Sequence, residues 1–414
     1  MDEVLIVGAG VGGLVTALSL AQAGVPCRVF EAAEEILPLG VGINLLPHAM
    51  RELDELGLMA ELSRHAVETR EAVFFNRHGQ LVYAEPLGRL AGYDWPQLSI
   101  HRGDLQMVLL AAARDRLGAA HLHTGMRLTR VDSSADRVTA HFVDARGNAL
   151  PGVHGALLVG ADGIHSALRR QLYPDEGPPR YSGVNMWRGT VVGQPFLSGA
   201  SMVRAGWLAM GKMVIYPIRN RADGTQLINW VAEVEQPAPV RRDWNRPGRL
   251  EDFFPVFEDW HFDWLDVAAM IRASTNILEY PMVDQDPLPR WTFGRATLLG
   301  DAAHPMYPRG SNGAGQAIVD ARVLAGRIKA LGPVPAALEA YAGERNPATA
   351  KVVLMNRSNP PDVVLREEHE RTGGKPFTRI EDVISREELS AITARYKAVA
   401  GYEVDALRNR PSYV

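Results

Sequence analysis

The sequence predicts an α/β protein, with a Rossmann-like nucleotide-binding domain, a second domain built on an antiparallel sheet, and C-terminal helices. Three observations predict this architecture. The chain begins with a strand-like run that leads into a glycine cluster and a helix. Two later apolar runs each end beside an aspartate and a glycine, and most tryptophans lie between those two runs.

The first glycine cluster lies in VLIVGAGVGGLVTALSLAQAGVPCRVFE, residues 4–31, where strand, turn, helix and strand follow one another. Gly8, Gly10 and Gly13 fit the pattern G-x-G-x-x-G at that turn. We expect Gly8 to permit the tight turn, Gly10 to let a pyrophosphate approach, and Gly13 to let helix and strand pack closely. Glu31, 18 residues after Gly13, is placed to bind ribose hydroxyls. The motif predicts a dinucleotide site without separating FAD from NAD(P). The alternative is a glycine-rich turn in an empty α/β domain.

Two later apolar runs end at aspartates. In ALLVGADGIHSALRRQL, residues 156–172, a predicted strand over 156–159 ends before Asp162. In residues 296–328 a predicted strand over 296–299 ends before Asp301, and a proline- and glycine-rich loop leads to a helix from about residue 314. Open α/β sheets bind ligands at the carboxyl ends of their strands, so both aspartates lie where a ligand is expected.

With these motifs in this order, the chain resembles the single-component class A flavoprotein monooxygenases, the FAD-dependent aromatic hydroxylases. That family carries an N-terminal GxGxxG, a central DG motif and a later GD motif, and the spacing matches over nearly the whole chain. Within the family, the stretches PLGVGINLLPHAM, SIHRGDLQMVLL, MWRG and YPMVDQDPLP are most similar to the 5-methylphenazine-1-carboxylate 1-monooxygenase group. The resemblance implies FAD as the cofactor and an FAD-binding domain of the glutathione-reductase/p-hydroxybenzoate-hydroxylase type.

The resemblance also implies which residues hold FAD. They are Gly8, Gly10, Val11, Gly12, Gly13 and Glu31 for the ADP half, Arg102 for the ribityl–pyrophosphate region, Asp162 with Gly163 near the pyrophosphate, Asp301 with Gly300 at a ribityl hydroxyl, Gly310, Asn312, Gly313 and Ala314 at the pyrimidine edge, and in addition Gly42 and Leu128. The pyrimidine-edge assignment has a physical reason of its own. A helix N-terminus stabilises an anion, and reduced flavin carries negative charge near N1 and O2.

Some of these residues have a plain structural alternative. Asp162 is also a candidate cap for the helix that follows it. Arg102 is also a candidate ion-pair partner for Asp104 or Glu31. The loop over residues 308–313, here called the flavin loop, contains an unusual residue for the family, Arg309. Arg309 either extends the positive field near the flavin ring or points to solvent, and we favour solvent.

Residues 181–290 change character and predict a sheet that covers the flavin. Short strands are predicted at 183–191, 201–205, 207–210, 213–217 and 227–233. Six of the eight tryptophans lie here, namely Trp187, Trp207, Trp230, Trp244, Trp260 and Trp264. Strand alternation places Met186 and Arg188 on one face and Trp187 on the other, and it points Tyr216 away from Ile215. The pattern leaves open which face looks at the flavin.

The candidate substrate pocket combines this sheet with the loop after the GD motif. It consists of Arg188, Met210, Tyr216, Trp230, Pro305, Met306 and Tyr307. An arginine in such a pocket suits a carboxylate substrate. For Trp230 and Trp187 the alternative is an ordinary core position.

The predicted domain division has three parts. Residues 1–180 and 281–345 form a discontinuous FAD-binding domain, residues 181–280 form the substrate-binding sheet domain, and residues 346–414 form a helical segment. Helices are predicted at 334–345, 347–358, 361–371 and 385–400. This segment is expected to cap the flavin domain or to mediate a dimer.

Composition excludes several other classes of protein. The formal net charge of −4 points away from nucleic acid as a partner. No apolar run reaches the roughly 20 residues of a membrane span, and no export signal precedes the first strand. The single cysteine, Cys27, rules out an internal disulfide and a multi-cysteine metal site. We therefore expect a cytoplasmic monomer or homodimer without a metal.

The sequence shows no nucleophile elbow and no metal-ligand cluster, so the difficult chemistry is assigned to the cofactor. His304 is interpreted as a hydrogen-bonding scaffold residue. We hypothesise that NADPH or NADH docks transiently and reduces FAD. O2 then forms a C4a-hydroperoxyflavin, which hydroxylates an aromatic or N-heteroaromatic small molecule. The alternatives are another FAD enzyme of the same fold (a reductase, a halogenase or a Baeyer–Villiger oxygenase) and a non-catalytic FAD-binding redox sensor.

Overall fold

The computed structural model describes residues 3–237, 247–274 and 276–414, so the predicted Trp244 lies outside the described residues. Within these ranges the strands are β1 Val4–Val7, β2 Cys27–Phe30, β3 Gly42–Leu45, β4 Ala66–Thr69, β5 Glu71–Phe75, β6 Leu81–Pro86, β7 Gln97–His101, β8 Leu122–His123, β9 Arg127–Ser133, β10 Val138–Val143, β11 Val153–Gly155, β12 Leu157–Gly160, β13 Arg180–Gly193, β14 Ser201–Ala205, β15 Lys212–Asn220, β16 Gln226–Glu235, β17 His261–Phe262, β18 Leu265–Asp266, β19 Ile277–Asp284, β20 Thr292–Phe293 and β21 Ala296–Leu298. The α-helices of the same ranges are α1 Val11–Gln22, α2 Pro47–Glu55, α3 Met59–His65, α4 Arg102–Leu117, α5 Ala167–Leu172, α6 Val267–Arg272, α7 Gly313–Leu331, α8 Pro335–Ser358, α9 Val363–Thr372, α10 Arg386–Ala400 and α11 Val404–Asn409.

The first sheet orders its described strands β20–β21–β12–β1–β2–β8, and from β21 to β8 neighbouring strands run parallel. Every residue of β1 is buried, as expected for a parallel strand that is covered on both faces. The strands predicted at 4–7, 156–159 and 296–299 are confirmed to within one residue at each end. Because Val7 pairs with Gly160, and Gly160 with Leu298, the turns that follow β1, β12 and β21 lie side by side.

Helices α1 and α7 leave two of those turns and pack against each other. A buried ion-pair network joins them, because Arg322 on α7 donates to Gln22 Oε1 on α1 at 2.6 Å and pairs with Glu52 on α2 at 3.3 Å. Both predicted helices are confirmed, as α1 over Val11–Gln22 and α7 over Gly313–Leu331. The two glycine-containing loops are therefore held at a fixed distance.

The second sheet orders its described strands β19–β13–β16–β15–β14–β5–β6 and is antiparallel except for the pair β14–β5. It extends beyond the predicted range 181–280, since β5 and β6 come from residues 71–86 and β19 continues to Asp284. The predicted strand at 207–210 is wrong. Leu208–Met210 form a 3-10 turn because Gly206 and Gly211, with φ of 70° and 85°, bend the chain on either side.

Side chains of the second sheet alternate between two faces. On one face, Trp187, Met213, Ile215, Trp230 and Ala232 pack with Phe253, Phe257 and Trp260 in one buried cluster. The other face, here called the inner face, carries Met186, Arg188, Arg204, Lys212, Val214, Tyr216, Asn229, Val231 and Glu233. Much of the tryptophan content that predicted this sheet is therefore core of the opposite face.

The C-terminal segment is helical, as predicted. The helices predicted at 334–345 and 347–358 are one helix, α8, which accommodates Pro347 in its interior. On α9 and α10, Val364, Leu365 and Leu389 pack against Phe74 and Tyr83 of β5 and β6. In the described part of the chain, no helix combines the length and apolar character of a membrane span.

Candidate cofactor-binding and active site

The turn after β1 requires glycine at two positions and leaves a third open. A Cβ atom on Gly8 would overlap the carbonyl oxygen of Ala161, and Gly8 has a φ of 101°. A Cβ atom on Gly13 would overlap the carbonyl oxygen of Gly8. A Cβ atom on Gly10, in contrast, would meet no atom within 4 Å. Gly8 therefore lets the turns after β1 and β12 approach each other, and Gly13 lets α1 pack on the end of β1. Gly10 faces open space beside the N-terminus of α1, where a phosphate binds favourably.

Two neighbours of Gly10 extend this arrangement. Val11 is half-buried as the first residue of α1. Gly12 brings α1 against β21, because a Cβ atom there would lie 2.8 Å from Leu299 Cδ2. The first and the last of the three sequence motifs are thus in direct contact.

Glu31 lies directly after β2 and is tied to the same turn. Its Oε2 accepts a hydrogen bond from the Ala9 amide at 2.8 Å, and its Oε1 accepts one from the Ala33 amide at 2.9 Å. Gln106 on α4 donates to the carbonyl oxygen of Ala9 at 2.9 Å. The carboxylate therefore lies beside the glycine turn, where the sequence places a ribose-binding acid.

Asp162 takes the capping role that the sequence allowed and keeps one carboxylate oxygen without a protein partner. Its Oδ2 accepts from the amide of Ala167 at 2.7 Å, which caps the start of α5. Its Oδ1 is buried and has no hydrogen-bond partner among the described residues. Burial raises the pKa of this carboxyl above its usual value. Gly163 follows with a φ of 73° and open space around its Cα, so the free oxygen adjoins room for a ligand.

The turn after β21 presents a second carboxylate. Gly300 has a φ of 61°, and Asp301, in the 3-10 turn Gly300–Ala302, is exposed. Its Oδ1 lies 3.9 Å from the position that a Cβ atom on Gly313 would take. Asn312 precedes α7 without a side-chain cap on the helix, so the first amides of α7 at Gly313 and Ala314 adjoin this carboxylate. A ligand with both hydroxyl and anionic groups is suited to that pair of features.

Asp320, on α7, holds this turn in place. It accepts hydrogen bonds from the Gly300 amide at 3.2 Å, from His304 Nε2 at 2.5 Å and from Arg345 Nε at 2.7 Å. Burial raises the pKa of the Asp320 carboxyl, but the charges of His304 and Arg345 outweigh burial and hold that pKa below its usual value. The structure thus places His304 in a scaffold, as predicted.

Tyr396, on α10, holds the other end of the same loop, and the sequence analysis missed it. Gly310 has a φ of 84°, and a Cβ atom there would overlap the Tyr396 hydroxyl. Asn312 Nδ2 donates to that hydroxyl at 3.2 Å, and the hydroxyl donates to Asn356 Oδ1 at 2.7 Å. No local signal links residues 310 and 396, because only tertiary packing brings them together.

The inner face of the second sheet is fastened to β3. The amide of Gly42 donates to Asn229 Oδ1 at 2.7 Å, and Arg188 Nη2 donates to the carbonyl oxygen of Gly42 at 2.8 Å. Tyr216 is buried beside Arg188 and Asn44. Burial raises the pKa of its hydroxyl above the usual value, although Arg188 and Asn44 lower it in part. Arg188 and Tyr216, both predicted for the substrate pocket, therefore lie together, and Gly42, predicted for the cofactor, contacts Arg188.

Three loop residues predicted for the pocket divide between two surroundings. Tyr307 packs against Met186, Val231 and Met282 at the inner face. Pro305 is buried, and Met306 packs on the cluster of Leu46, Tyr93, Tyr396 and Tyr402. Arg309 is half-buried, and its guanidinium lies 5.9 Å from the centre of the Tyr307 ring, so it does not simply point to solvent.

Two predicted pocket residues are corrected. Trp230 lies on the face opposite Arg188 and Tyr216, where its Nε1 donates to Ser274 Oγ at 2.8 Å and Gly189 leaves room for its ring. Strand alternation alone puts it there. Met210 is 42% exposed in the 3-10 turn Leu208–Met210, near Asn76 and His369 rather than the flavin loop.

Two further residues predicted for the cofactor lie on α4 and β9. Arg102, the first residue of α4, is exposed, and its side chain passes 3.4 Å from the position of a Cβ atom on Gly40. Its alternative partner Asp104 instead pairs with Arg219. Leu128, on β9, is buried. The cofactor contacts of Arg102 and Leu128 stay predictions.

These residues fit an extended dinucleotide. One edge of the first sheet is lined by open space at Gly10, the free Oδ1 of Asp162 and exposed Asp301 beside the start of α7. The inner face of the second sheet contacts the loop after β21 through Tyr307. Groups of three or more side chains suited to a metal do not occur among the described residues. The fold and the site thus define an α/β dinucleotide-binding protein with a covering sheet.

Comparison with known proteins names the family. The chain matches the FAD-binding domain family over residues 1–356, and it belongs to that family. It is 41% identical to the phenazine 1,6-dicarboxylic acid hydroxylase PhzS of Lysobacter antibioticus, over 96% of this chain and 97% of that protein. It is 33% identical to the 6-hydroxynicotinate 3-monooxygenase of Bordetella bronchiseptica, over 78% of this chain and 81% of that protein.

Solved structures agree on the fold. The structure of Klebsiella pneumoniae HpxO with FAD and uric acid superposes with a TM-score of 0.75 at 24% sequence identity, over 99% of this chain and 97% of that chain. The predicted α/β fold with an FAD-binding domain is confirmed, as is FAD as the cofactor. The assignment as an FAD-dependent aromatic monooxygenase, and the phenazine-hydroxylase-like resemblance, are confirmed as well.

Proposed function

We propose that this enzyme uses NAD(P)H and O2 to hydroxylate an N-heteroaromatic carboxylate. The observation that carries the proposal is the juxtaposition of two surfaces. One is the strand edge that fits the dinucleotide, and the other is the inner face, which combines buried aromatic and apolar side chains with arginines. The names of the two relatives, a phenazine dicarboxylate hydroxylase and a hydroxynicotinate monooxygenase, support the same substrate class.

The residues divide the work of holding the cofactor. The N-terminus of α1 beside Gly10 is suited to the diphosphate, and Glu31 to a ribose. Asp162 and Asp301 offer acceptor oxygens at the turns after β12 and β21. The free amides at the start of α7 favour negative charge on the adjoining group. When bound, FAD supplies electron transfer from NAD(P)H and the activation of O2.

The inner face would position the aromatic ring and exclude water. Met186, Val231, Met282 and Tyr307 form a buried apolar cluster at the flavin loop. A rigid pocket that excludes water favours oxygen transfer to the substrate over loss of the activated oxygen to water. Tyr216, buried beside Arg188, adds one polar group to this surface.

The test begins with the purified protein. We expect bound FAD, slow NAD(P)H oxidation without substrate, and faster oxidation with phenazine-1,6-dicarboxylate or 6-hydroxynicotinate. Mass spectrometry should find a product that has gained one oxygen atom. A compound that accelerates NAD(P)H oxidation but yields only hydrogen peroxide is an uncoupled effector and would count against it as the substrate. If no aromatic compound both accelerates oxidation and gains oxygen, the redox-sensor alternative replaces this proposal.

Several finer predictions remain attached to this function. The choice between NADH and NADPH is tested by comparing their reduction rates on the same preparation. The predicted monomer or homodimer is tested by light scattering, and the cytoplasmic location by cell fractionation.

A further inference from the structure

Helix α8 supports the connection that carries the chain from the second sheet back to the first. We name this connection, residues 285–291 between β19 and β20, the return segment. Asn346 Nδ2, on α8, donates to the carbonyl oxygen of Leu288 at 2.9 Å. Further along the same helix, Arg357 Nη2 donates to the carbonyl oxygen of Gln285 at 3.0 Å. The return segment therefore follows α8 from one sheet to the other.

Arg357 also binds the residue at which β19 ends. Its Nε donates to Asp284 Oδ2 at 2.7 Å and its Nη2 donates to Asp284 Oδ1 at 3.0 Å, so the guanidinium binds both carboxylate oxygens. Its Nη1 donates to Asp286 Oδ1 at 2.7 Å. A two-bonded pair fixes direction as well as distance, so Arg357 holds the end of β19 in one position.

The two aspartates differ in what they contribute to this arrangement. The Asp284 side chain is fully buried, whereas that of Asp286 is 65% exposed. Burial raises the pKa of the Asp284 carboxyl, and the hydrogen bonds and charge of Arg357 lower it in part. An exposed ion pair contributes little, because water competes for both charges, but a buried carboxylate depends on its partner. The contact with Asp284, more than the one with Asp286, therefore fixes the return segment.

The residue before Arg357 holds the loop after β21. Asn356 is fully buried, and its Nδ2 donates to the carbonyl oxygen of Tyr307 at 3.0 Å. The amide of Gln285 donates to the carbonyl oxygen of Pro305 at 3.4 Å, which joins the return segment directly to the same loop. Two consecutive residues of α8 thus hold the end of β19 and the loop that leads into the flavin loop.

The two parts held by α8 meet at the inner face. Met282, two residues before the end of β19, lies with Tyr307 in the buried apolar cluster of that face. Nearer its start, α8 is anchored beside the turn after β21, because Arg345 pairs with Asp320 at 2.7 Å. The spacing between the inner face and the flavin loop therefore depends on the position of one helix.

We propose that Arg357 is a positioning residue for oxygen transfer, which holds β19, and with it the inner face, at the spacing from the flavin loop that the reaction needs. The inference rests on the proposed function. Transfer requires the aromatic ring to lie close to the activated oxygen, and a misplacement of about 1 Å costs ~100-fold in rate. A wider spacing also admits water. For each NAD(P)H and O2 consumed, the enzyme then releases one hydrogen peroxide instead of one hydroxylated product and one water.

The experiment measures the coupling ratio, which is the hydroxylated product formed per NAD(P)H oxidised. It uses the FAD-loaded enzyme and phenazine-1,6-dicarboxylate or 6-hydroxynicotinate, whichever the wild type hydroxylates. With Arg357→Met we expect the coupling ratio to fall ~3- to 10-fold, while FAD content and the rate of NAD(P)H oxidation stay within ~2-fold of wild type. Arg357→Lys keeps the charge without the planar fork, so it should recover part of the ratio.

The partner on β19 is tested in the same assay. Asp284→Asn should lower the coupling ratio about as far as Arg357→Met does. The double variant should be no worse than either single variant, because both substitutions remove the same contact. Asp286→Asn should lower the ratio less than Asp284→Asn does, since its pair with Arg357 is exposed.

A second readout requires no turnover. Quenching of the fluorescence of bound FAD by iodide reports how far the flavin ring is open to solvent, and we expect the quenching constant to rise ~2- to 5-fold in Arg357→Met. The matched control is Arg327→Met, which removes an exposed pair between α7 and Glu344 of α8 and should change neither readout. Thermal unfolding is measured on every variant.

The proposal is overturned if Arg357→Met keeps the coupling ratio and the iodide quenching of the wild type. It is also overturned if FAD content, thermal stability and NAD(P)H oxidation fall as far as the coupling ratio does, or if no Arg357 variant folds with FAD, since the residue is then structural. Failure of the proposed function looks different. The wild type would form no oxygenated product from any aromatic compound, while iodide quenching would still separate Arg357→Met from Arg327→Met.

Discussion

The edge of the first sheet and the inner face of the second sheet build their parts of the site in different ways. At the edge, backbone conformation and the absence of side chains create the space for a ligand, as Gly8, Gly10 and Gly13 show within six residues. At the inner face, side chains from β13, β14, β15 and β16 meet through long-range pairing. A site formed by backbone atoms can be predicted from a short stretch of sequence. A site formed by side chains of several strands depends on which face each strand turns toward the ligand.

The largest expected effect separates packing glycines from a ligand-facing glycine. Gly13→Ala should cost more than ~4 kcal/mol of folding free energy or prevent folding, because the new Cβ overlaps the Gly8 carbonyl oxygen. Gly10→Ala should change the unfolding free energy by less than ~1 kcal/mol and weaken FAD binding instead, since its Cβ meets no protein atom. Chemical denaturation and FAD titration measure the two. Equal loss of stability in both variants would contradict the division. Gly343→Ala, in α8 with open space around it, serves as the control.

The next effect concerns the loop that closes the edge. Asp320→Asn should destabilise the protein by ~3–5 kcal/mol, because it leaves buried Arg345 without its carboxylate. The folded pKa of Asp320 is depressed, so its contribution to stability is present above the pKa of the unfolded chain and is lost as the pH falls through the folded pKa. The difference in unfolding free energy between wild type and variant should therefore shrink in acid. If the stability difference between wild type and variant stayed constant down to the pH of acid unfolding, the ion pair would not be its cause.

A smaller effect tests the free oxygen at the turn after β12. Asp162→Asn keeps an oxygen that can cap α5, so the unfolding free energy should change by less than ~1 kcal/mol. We expect the dissociation constant of FAD to rise ~10-fold, because a charged acceptor is lost beside the cofactor. Serial FAD removal and titration measure it. Unchanged FAD affinity would assign Asp162 to helix capping alone. Ser166→Ala removes the second side chain that caps the N-terminus of α5, so its loss of stability provides the comparison.

The smallest effect on catalysis is expected from the face away from the flavin. Trp230→Phe should cost ~1–3 kcal/mol of stability, through lost packing and the lost hydrogen bond to Ser274, and should leave KM within ~2-fold of wild type. Tyr216→Phe, on the inner face, should change KM or coupling of oxygen transfer with less effect on stability. Steady-state kinetics and thermal unfolding measure both variants. If Trp230→Phe changed KM and Tyr216→Phe changed only stability, the face of Trp230 would be the one that binds substrate.

The sequence predicted the strand edge well because each of its motifs is local. Strand, glycine, helix and acid follow one another within short stretches of sequence, so Gly8, Asp162 and Asp301 were placed correctly at adjacent turns. Asp320 was missed because a buried aspartate within a helix carries no local signal. Its partners Gly300, His304 and Arg345 come from three separate elements.

The inner face was predicted only in part. Strand alternation correctly separated Arg188 from Trp187, and Tyr216 from Ile215. A single sequence does not show which face of the sheet is turned toward the cofactor and which is packed in the core. Trp230 was assigned to the pocket because it is large and aromatic, and the same property makes it a core residue.

The contact between Tyr396 and Gly310 makes the cradle depend on a helix that belongs to neither sheet. The glycine turn after β1 is formed by neighbouring residues, whereas the loop before α7 is braced from α10 through Tyr396. Loss of α10 would therefore leave the first turn in place and deprive that loop of its support.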